Sequence, residues 1–123
     1  MEDTEINTIT EQIIGCAYQV HKVLGCGFLE KVYENALAHE MKRKGLKVEQ
    51  QVTIDVYYDD IVAGTYQADI MVEEKVLIEL KALEDLNTVH IAQCLNYLKA
   101  MGKKVCLLLN FGKTRLQIKR ISM

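Results

Sequence analysis

The sequence predicts an α/β domain, α+β in the order of its elements: two helices, three strands, a helix and two strands (ααβββαββ), with helices flanking a sheet. Three observations predict it. Apolar residues recur at steps of three and four over residues 6–24 and again over 88–101, the period of an amphipathic helix. Over residues 48–56 the period switches to two, as in a half-buried strand. Residues 105–111 form a run that is apolar but for Asn110, the mark of a strand covered on both faces.

The first helix carries Ile6, Ile9, Ile13, Cys16, Ala17, Val20 and Leu24 on one stripe, and Asp3 or Thr4 is placed to cap it. Gly25-Cys26-Gly27 breaks it. A second helix runs from about Phe28 to Lys44, with Leu29, Val32, Tyr33, Ala36, Leu37 and Met41 inward and Gly45 as its C′ residue. Val48, Gln50, Val52, Ile54 and Val56 then alternate with polar residues. Tyr58-Asp59-Asp60 reads as a turn, Ile61 to Val72 as a second strand with a bulge at Gly64, and Val76 to Lys81 as a third. The helix over Thr88–Met101 presents Ile91, Cys94, Leu95, Leu98 and Met101, and Gly102 ends it. Val105 to Phe111 and Thr114 to Ile121 complete the set. There is no proline, so glycine supplies the punctuation.

The chain has 123 residues, half of them hydrophobic and 26% charged, which suits one domain over residues 1–123 with one real core. No apolar run approaches the roughly 20 residues that span a bilayer. The acidic start, MEDTEINTITEQ, does not read as a signal peptide, which points to the cytoplasm. Cys16, Cys26, Cys94 and Cys106 are scattered without a C-x-x-C pair. They read as small hydrophobes in a reducing compartment rather than a zinc or iron–sulfur site, with Cys26 as a loop thiol. The net charge of −2 hides an asymmetry. Residues 1–85 hold 8 Lys/Arg and all 17 Asp/Glu, a net −9; residues 86–123 hold 7 Lys/Arg and no acid. Such a division marks a face for a polyanion or balances two parts of one fold.

The chemistry concentrates in QADIMVEEKVLIELKA, residues 67–82. Asp69, Glu79 and Lys81 interrupt apolar runs, and charged side chains are rarely buried unless paired or bound to a metal. A three-residue hairpin loop at 73–75 pairs Val72 with Val76, so partner numbers sum to 148 and Asp69 falls opposite Glu79. Opposed Cβ atoms lie about 4.5–5.5 Å apart. Glu79 and Lys81 are two apart and share a face; Leu80 points the other way with Ile70, Val72 and Ile78. Two carboxylates so close repel unless a divalent cation joins them, and oxygen donors suit Mg2+ or Mn2+. The plainer reading is an ion pair of Lys81 with Glu79 or Asp69 near a strand end.

Asp69 followed by Glu79-Leu80-Lys81 resembles the PD-(D/E)XK nuclease signature, with Ala68 in place of the proline. The superfamily's restriction-endonuclease-like core, a mixed central sheet flanked by helices, matches residues 28–111 in order. Gly27, Glu30 and Tyr33 fit the pattern of the GxxExxY proteins. Gln93 and Tyr97 fit the Q-x-x-x-Y motif of the RecB-like and λ-exonuclease-like branches. The resemblance implies a metal-dependent nuclease that hydrolyses phosphodiester bonds, with DNA as the expected substrate. Asp69, Glu79 and the Leu80 carbonyl would bind Mg2+ or Mn2+, with Glu30 a further ligand to the metal or its water. Lys81 would act on the attacking water, and Gln93 and Tyr97 would orient Lys81, the water or a phosphate. His21 and His90 are possible extra ligands, but each reads rather as a residue near the site or at the surface.

Two other classes remain open: a non-catalytic module that keeps the fold to bind nucleic acid or a partner, and a metal-dependent phosphoesterase acting on a small nucleotide. Retention of both acids and the lysine favours catalysis, and the basic C-terminal third favours a long polyanion. Within that third, Lys113, Arg115 and Lys119 are candidate phosphate contacts, Arg115 and Lys119 on one strand face. A homodimer would add grip on a duplex for so small a core.

Overall fold

A computed structural model describes residues 2–123. Its elements are α1 (Glu2–Leu24), α2 (Glu30–Arg43), β1 (Val48–Tyr58), β2 (Ile61–Val72), β3 (Val76–Lys81), α3 (Thr88–Met101), β4 (Val105–Asn110) and β5 (Gln117–Ser122). This is the ααβββαββ order. The five strands form one sheet in chain order; β3 and β4 are parallel and all other neighbours antiparallel. Parallel neighbours need a long crossover, and α3 supplies it.

The sheet separates two cores. On one face Ile13, Ala17, Tyr33, Leu37 and Met41 of α1 and α2 pack on Ile70, Val72, Ile78, Leu80, Leu107 and Leu109. On the other, Cys94, Tyr97 and Leu98 of α3 pack on Ile54, Ala68, Leu77, Cys106 and Leu108. The alternation of β3 and β4 between these cores explains why apolar residues follow one another over Val76–Ile78 and Val105–Leu109. Cys16, Cys94 and Cys106 are buried free thiols, and Cys26 is exposed.

Several local expectations need correction. Asp3 and Thr4 lie inside α1, which starts at Glu2, so neither caps it. α2 starts at Glu30, not Phe28, because Gly27 has φ +114° and Leu29 is still extended. Leu29 and Val32 are therefore exposed, while Glu34 is buried. The end of α2 is as expected: the Gly45 N–H reaches Lys42 O and the Leu46 N–H reaches Met41 O, a Schellman motif around a left-handed Gly45. In α3, Tyr97 is buried in place of Leu95, which is 40% exposed. β5 begins at Gln117, so Arg115 stands in the bend before the strand and shares no strand face with Lys119.

Register follows the sequence closely. Glu73-Glu74-Lys75 form the three-residue loop, and Val72↔Val76, Met71↔Leu77 and Ile70↔Ile78 pair as the hairpin count requires. The bulge in β2 is real: Val56 pairs with Gly64 and Tyr57 with Val62, leaving one extra residue between them. One feature of β1 was invisible in the pattern. Gln51 has φ +54°, and the strand exchanges faces there. Val48 packs with the α1/α2 core and Val52 with the α3 core, although they are four residues apart. Opposite, Ala68 and Ile70 divide between the same two cores on either side of Asp69.

Candidate active site

The charged residues of the 67–82 segment collect where that exchange of faces occurs. The β2–β3 ladder stops at Ile70↔Ile78, one position before Asp69 and Glu79. The two carboxylates replace it. Glu79 Oε1 accepts from the Asp69 backbone N–H at 2.9 Å, and Asp69 Oδ2 accepts from the Leu80 N–H at 2.8 Å. Each acid thus takes a backbone donor that ladder continuation would have used. Glu79 and Lys81 follow Leu77 at two-residue steps on the α3 side, while Ile78 and Leu80 pack against α1 and α2.

The electrostatics are those of carboxylates held together out of water. Burial first, then the Asp69 charge, pushes the Glu79 carboxyl up to about 8. Burial also raises Asp69, opposed by its bond from Leu80 and by Lys81. Glu30, the first residue of α2, is exposed as a whole residue, yet partial burial of its carboxyl raises its pKa against the pull of Lys81. Asp69, Glu79 and Glu30 all feel the charge of Lys81, which forms no ion pair within 4 Å among the described residues. From α3, Gln93 Nε2 donates to Tyr97 Oη at 2.9 Å. Burial and then Glu79 hold the Tyr97 phenol at about 12, so it stays protonated at neutral pH.

Of the predicted set, Asp69, Glu79 and the Leu80 backbone are joined by hydrogen bonds, Gln93 is tied to Tyr97, and Glu30, Lys81 and Tyr97 are linked to the two acids by electrostatics alone. The donor set fits a hard divalent cation. It consists of carboxylate and carbonyl oxygens, and a bound cation would favour the ionised form of the raised acids. Among the described residues, no three His, Cys, Asp or Glu side chains stand close enough to cage an ion by themselves. The arrangement is a two-carboxylate one, of the kind in which water and substrate complete the shell of Mg2+.

Three features escaped the sequence reading. Glu34, 4% exposed, accepts from Lys31 Nζ (3.0 Å), Gln50 Nε2 (2.7 Å) and Gln51 Nε2 (2.8 Å), and its charge acts on Asp69. Its only signal was its place one turn after Glu30. Gln51 also approaches Asp69 Oδ1 at 3.5 Å. Asn110, fully buried at the end of β4, binds both the N–H and the C=O of Leu83 and accepts from Gly112 N, which fixes the chain just beyond Lys81. A polar residue inside an apolar run was its signal.

The Gly27, Glu30 and Tyr33 spacing acquires a physical reason. Tyr33 stacks on Phe111 at 4.8 Å, donates to Gly25 O at 2.6 Å and accepts from Phe28 N at 3.2 Å. The phenol clamps the glycine turn, and the turn sets where Glu30 begins its helix. His21 Nε2 meets Lys113 O at 2.8 Å, and His90 Nδ1 accepts from Asn87 N in the capping box of α3, from where it acts electrostatically on Glu30. The basic third is partly spoken for. Lys113 pairs with Asp85 at 2.8 Å, Lys104 with Asp3 at 3.8 Å, and Arg120 reaches Thr10 Oγ1 at 3.3 Å. Lys119 is exposed on β5. No described helix is long and apolar enough to cross a membrane.

Comparison with known proteins agrees with this architecture. The sequence profile of the PD-(D/E)XK nuclease superfamily matches residues 7–121. Among solved structures, the alkaline exonuclease LHK-Exo from Laribacter hongkongensis is similar in fold, with a TM-score of 0.57 at 18% identity over 75% of this chain. The chain spans 55% of that exonuclease's length. No curated protein matches significantly.

Proposed function

This chain belongs to the PD-(D/E)XK nuclease superfamily, and from that premise we propose that it is a Mg2+- or Mn2+-dependent nuclease acting on DNA, within the GxxExxY group and with the Q-x-x-x-Y motif of the RecB-like and λ-exonuclease-like branches. The observation that carries the reading is the clasp between Asp69 and Glu79 with Lys81 two residues on. Each carboxylate spends one oxygen on a backbone N–H, which fixes its orientation and leaves the other oxygen for a cation. The Leu80 carbonyl would complete the protein's share of ligands, and Glu30, whose carboxyl feels the charges of Lys81 and Asp69, would hold a metal-bound water. A bound divalent ion would polarise the scissile phosphate and lower the pKa of a water.

The side chains do the rest. Lys81 orients the water or steadies charge developing on the phosphate. Tyr97 stays protonated and accepts from Gln93, so its own hydrogen remains available to an anionic oxygen of a substrate. The role of this pair is donation, not proton abstraction. A cytoplasmic location goes with this reading.

The test is a titration of Mg2+ and Mn2+ against labelled single- and double-stranded DNA and RNA. Cleavage of DNA that requires the metal and is lost in Lys81→Ala is the expected result. In the same preparations the metal raises the melting temperature by mass action. That rise persists in Lys81→Ala and disappears in Asp69→Asn. Metal-independent binding without cleavage would replace the proposal with the non-catalytic module.

A further inference from the structure

The β1–β2 hairpin is much longer than the strand beside it. β2 pairs with β3 only over Ile70–Val72, so the hairpin projects past β3 as an arm from Gln51 and Asp69 outward. Between this arm and α3 lies a groove of about 760 Å³. Gln93 and Tyr97, the two α3 residues of the candidate site, belong to its lining, whereas Asp69, Glu79 and Lys81 do not. Tyr66 and Tyr57 line the arm side, 53% and 64% exposed, and Asn96 and Lys99 continue the α3 side.

We propose that this groove seats the unpaired bases of a single nucleic-acid strand leading to the site, with Tyr66 and Tyr57 as stacking platforms. The proposal rests on the nuclease reading and narrows its substrate to a single strand.

The chemistry of the walls selects the occupant. The groove has one lysine and one acid, Asp55, which already accepts from Thr65 Oγ1 at 3.0 Å. Such a balance makes a poor track for a phosphate backbone. Two open tyrosine rings beside amide side chains suit flat heterocycles with donor and acceptor edges. Base–aromatic stacking is tolerant of sequence. Tyr66 packs against Tyr97 with centroids 5.9 Å apart and planes tilted by 44°, so its position is fixed relative to the site. Six residues of β1 separate Gln51 from Tyr57, about 20 Å at strand rise. A stacked strand at about 3.4 Å per nucleotide covers that distance with roughly six nucleotides. A rigid duplex presents its bases edge-on, with their faces already stacked, and offers nothing to the two rings.

The experiment measures fluorescence anisotropy of labelled oligothymidylates of 3 to 12 nucleotides, and of a 12-base-pair duplex, on the Lys81→Ala chain in Mg2+ so that the strand stays uncut. Affinity is expected to rise with length to about six nucleotides and then level off, and to exceed that for the duplex. Tyr66→Ala and Tyr57→Ala each weaken single-strand binding about tenfold, and Tyr66→Phe and Tyr57→Phe do not. Melting temperatures of the four variants identify any loss caused by unfolding, and a loss shared by the Phe variants overturns stacking. The chain with Lys81 intact is assayed for cutting of the same oligonucleotides. Cutting combined with undiminished binding in both Ala variants overturns the groove and leaves the nuclease reading in place. Absence of both cutting and binding on every nucleic acid overturns both.

Discussion

Removing the metal should make this protein lose stability as the pH rises, and Glu79→Gln should remove most of that loss. In the folded, metal-free chain the Glu79 carboxyl is pushed from 4.5 to about 8. A raised acid binds more protons folded than unfolded. Its contribution is therefore fully present below the unfolded value and is lost as the pH climbs through the folded one. Taking each unit as 1.36 kcal/mol and integrating between pH 5 and pH 9 gives about 4 kcal/mol from this one group, as an upper value. Asp69 and Glu30 are shifted in the same direction and add to the slope. Glu74 is shifted the other way by its bond to Lys47 and opposes the slope. Glu79→Gln keeps an oxygen to accept from the Asp69 N–H and carries no charge, so its stability in chelator should be far flatter with pH. Saturating Mg2+ should flatten the parent as well. The assay is urea denaturation at pH 5, 7 and 9, in chelator and in metal. A metal-free parent equally stable at pH 5 and pH 9 would refute the argument that buried, repelling carboxylates create the demand for a cation.

Three further perturbations test the supports of the site and the charge asymmetry. Tyr33→Phe removes the bond to Gly25 O and the acceptor for Phe28 N, and should cost about 1–2 kcal/mol in urea denaturation; no change would mean that the clamp on the glycine turn is idle. Gly112→Ala would put a Cβ at 2.4 Å from both the N and the O of Leu83, so the segment after Lys81 must move; both melting temperature and cleavage rate should fall, and a normal protein would show that segment to be yielding. Charge reversal at Arg115 and Lys119 together should lessen the dependence of DNA affinity on salt by about one to two units of log–log slope. If these cations only balance acids of the same fold, the slope will stand and the melting temperature will drop.

Much of the fold could be read in the sequence because its signals are local. Helical stripes, a three-residue loop and glycine stops depend on neighbours within a few positions, and so does the register that sets Asp69 against Glu79. Errors arose where a distant contact decides. Leu29 and Val32 belong to the apolar period, yet the left-handed Gly27 delays α2 until Glu30 and turns them to solvent. Glu34 reads as a surface acid, yet Lys31 and the two glutamines of β1 supply enough donors to bury it. The sequence places Tyr97 in the site and Leu95 in the core, but it is the Tyr97 ring that fills the α3 core, with its hydroxyl bonded to Gln93 and subject to the charge of Glu79. Arg115 was placed on a strand because no residue there signals that β5 begins at Gln117.

The left-handed Gln51 links the errors to the site. A non-glycine residue at φ +54° costs about 1–2 kcal/mol, and surrounding structure must hold it there. Here the holding groups are visible: Gln51 donates to Glu34 and approaches Asp69. The strain has a consequence that a regular strand would lack. Because β1 exchanges faces at Gln51 and β2 does so at Asp69, regular pairing with β3 ends at Ile70. Only there do the N–H groups of Asp69 and Leu80 become available to carboxylates, and a buried carboxylate needs such donors. Continuous pairing through residue 69 would return those donors to the ladder and leave two acids with no fixed orientation. The irregular backbone and the acid pair are thus one construction, which is why a strict period-two reading found the acids and missed the residue that makes room for them.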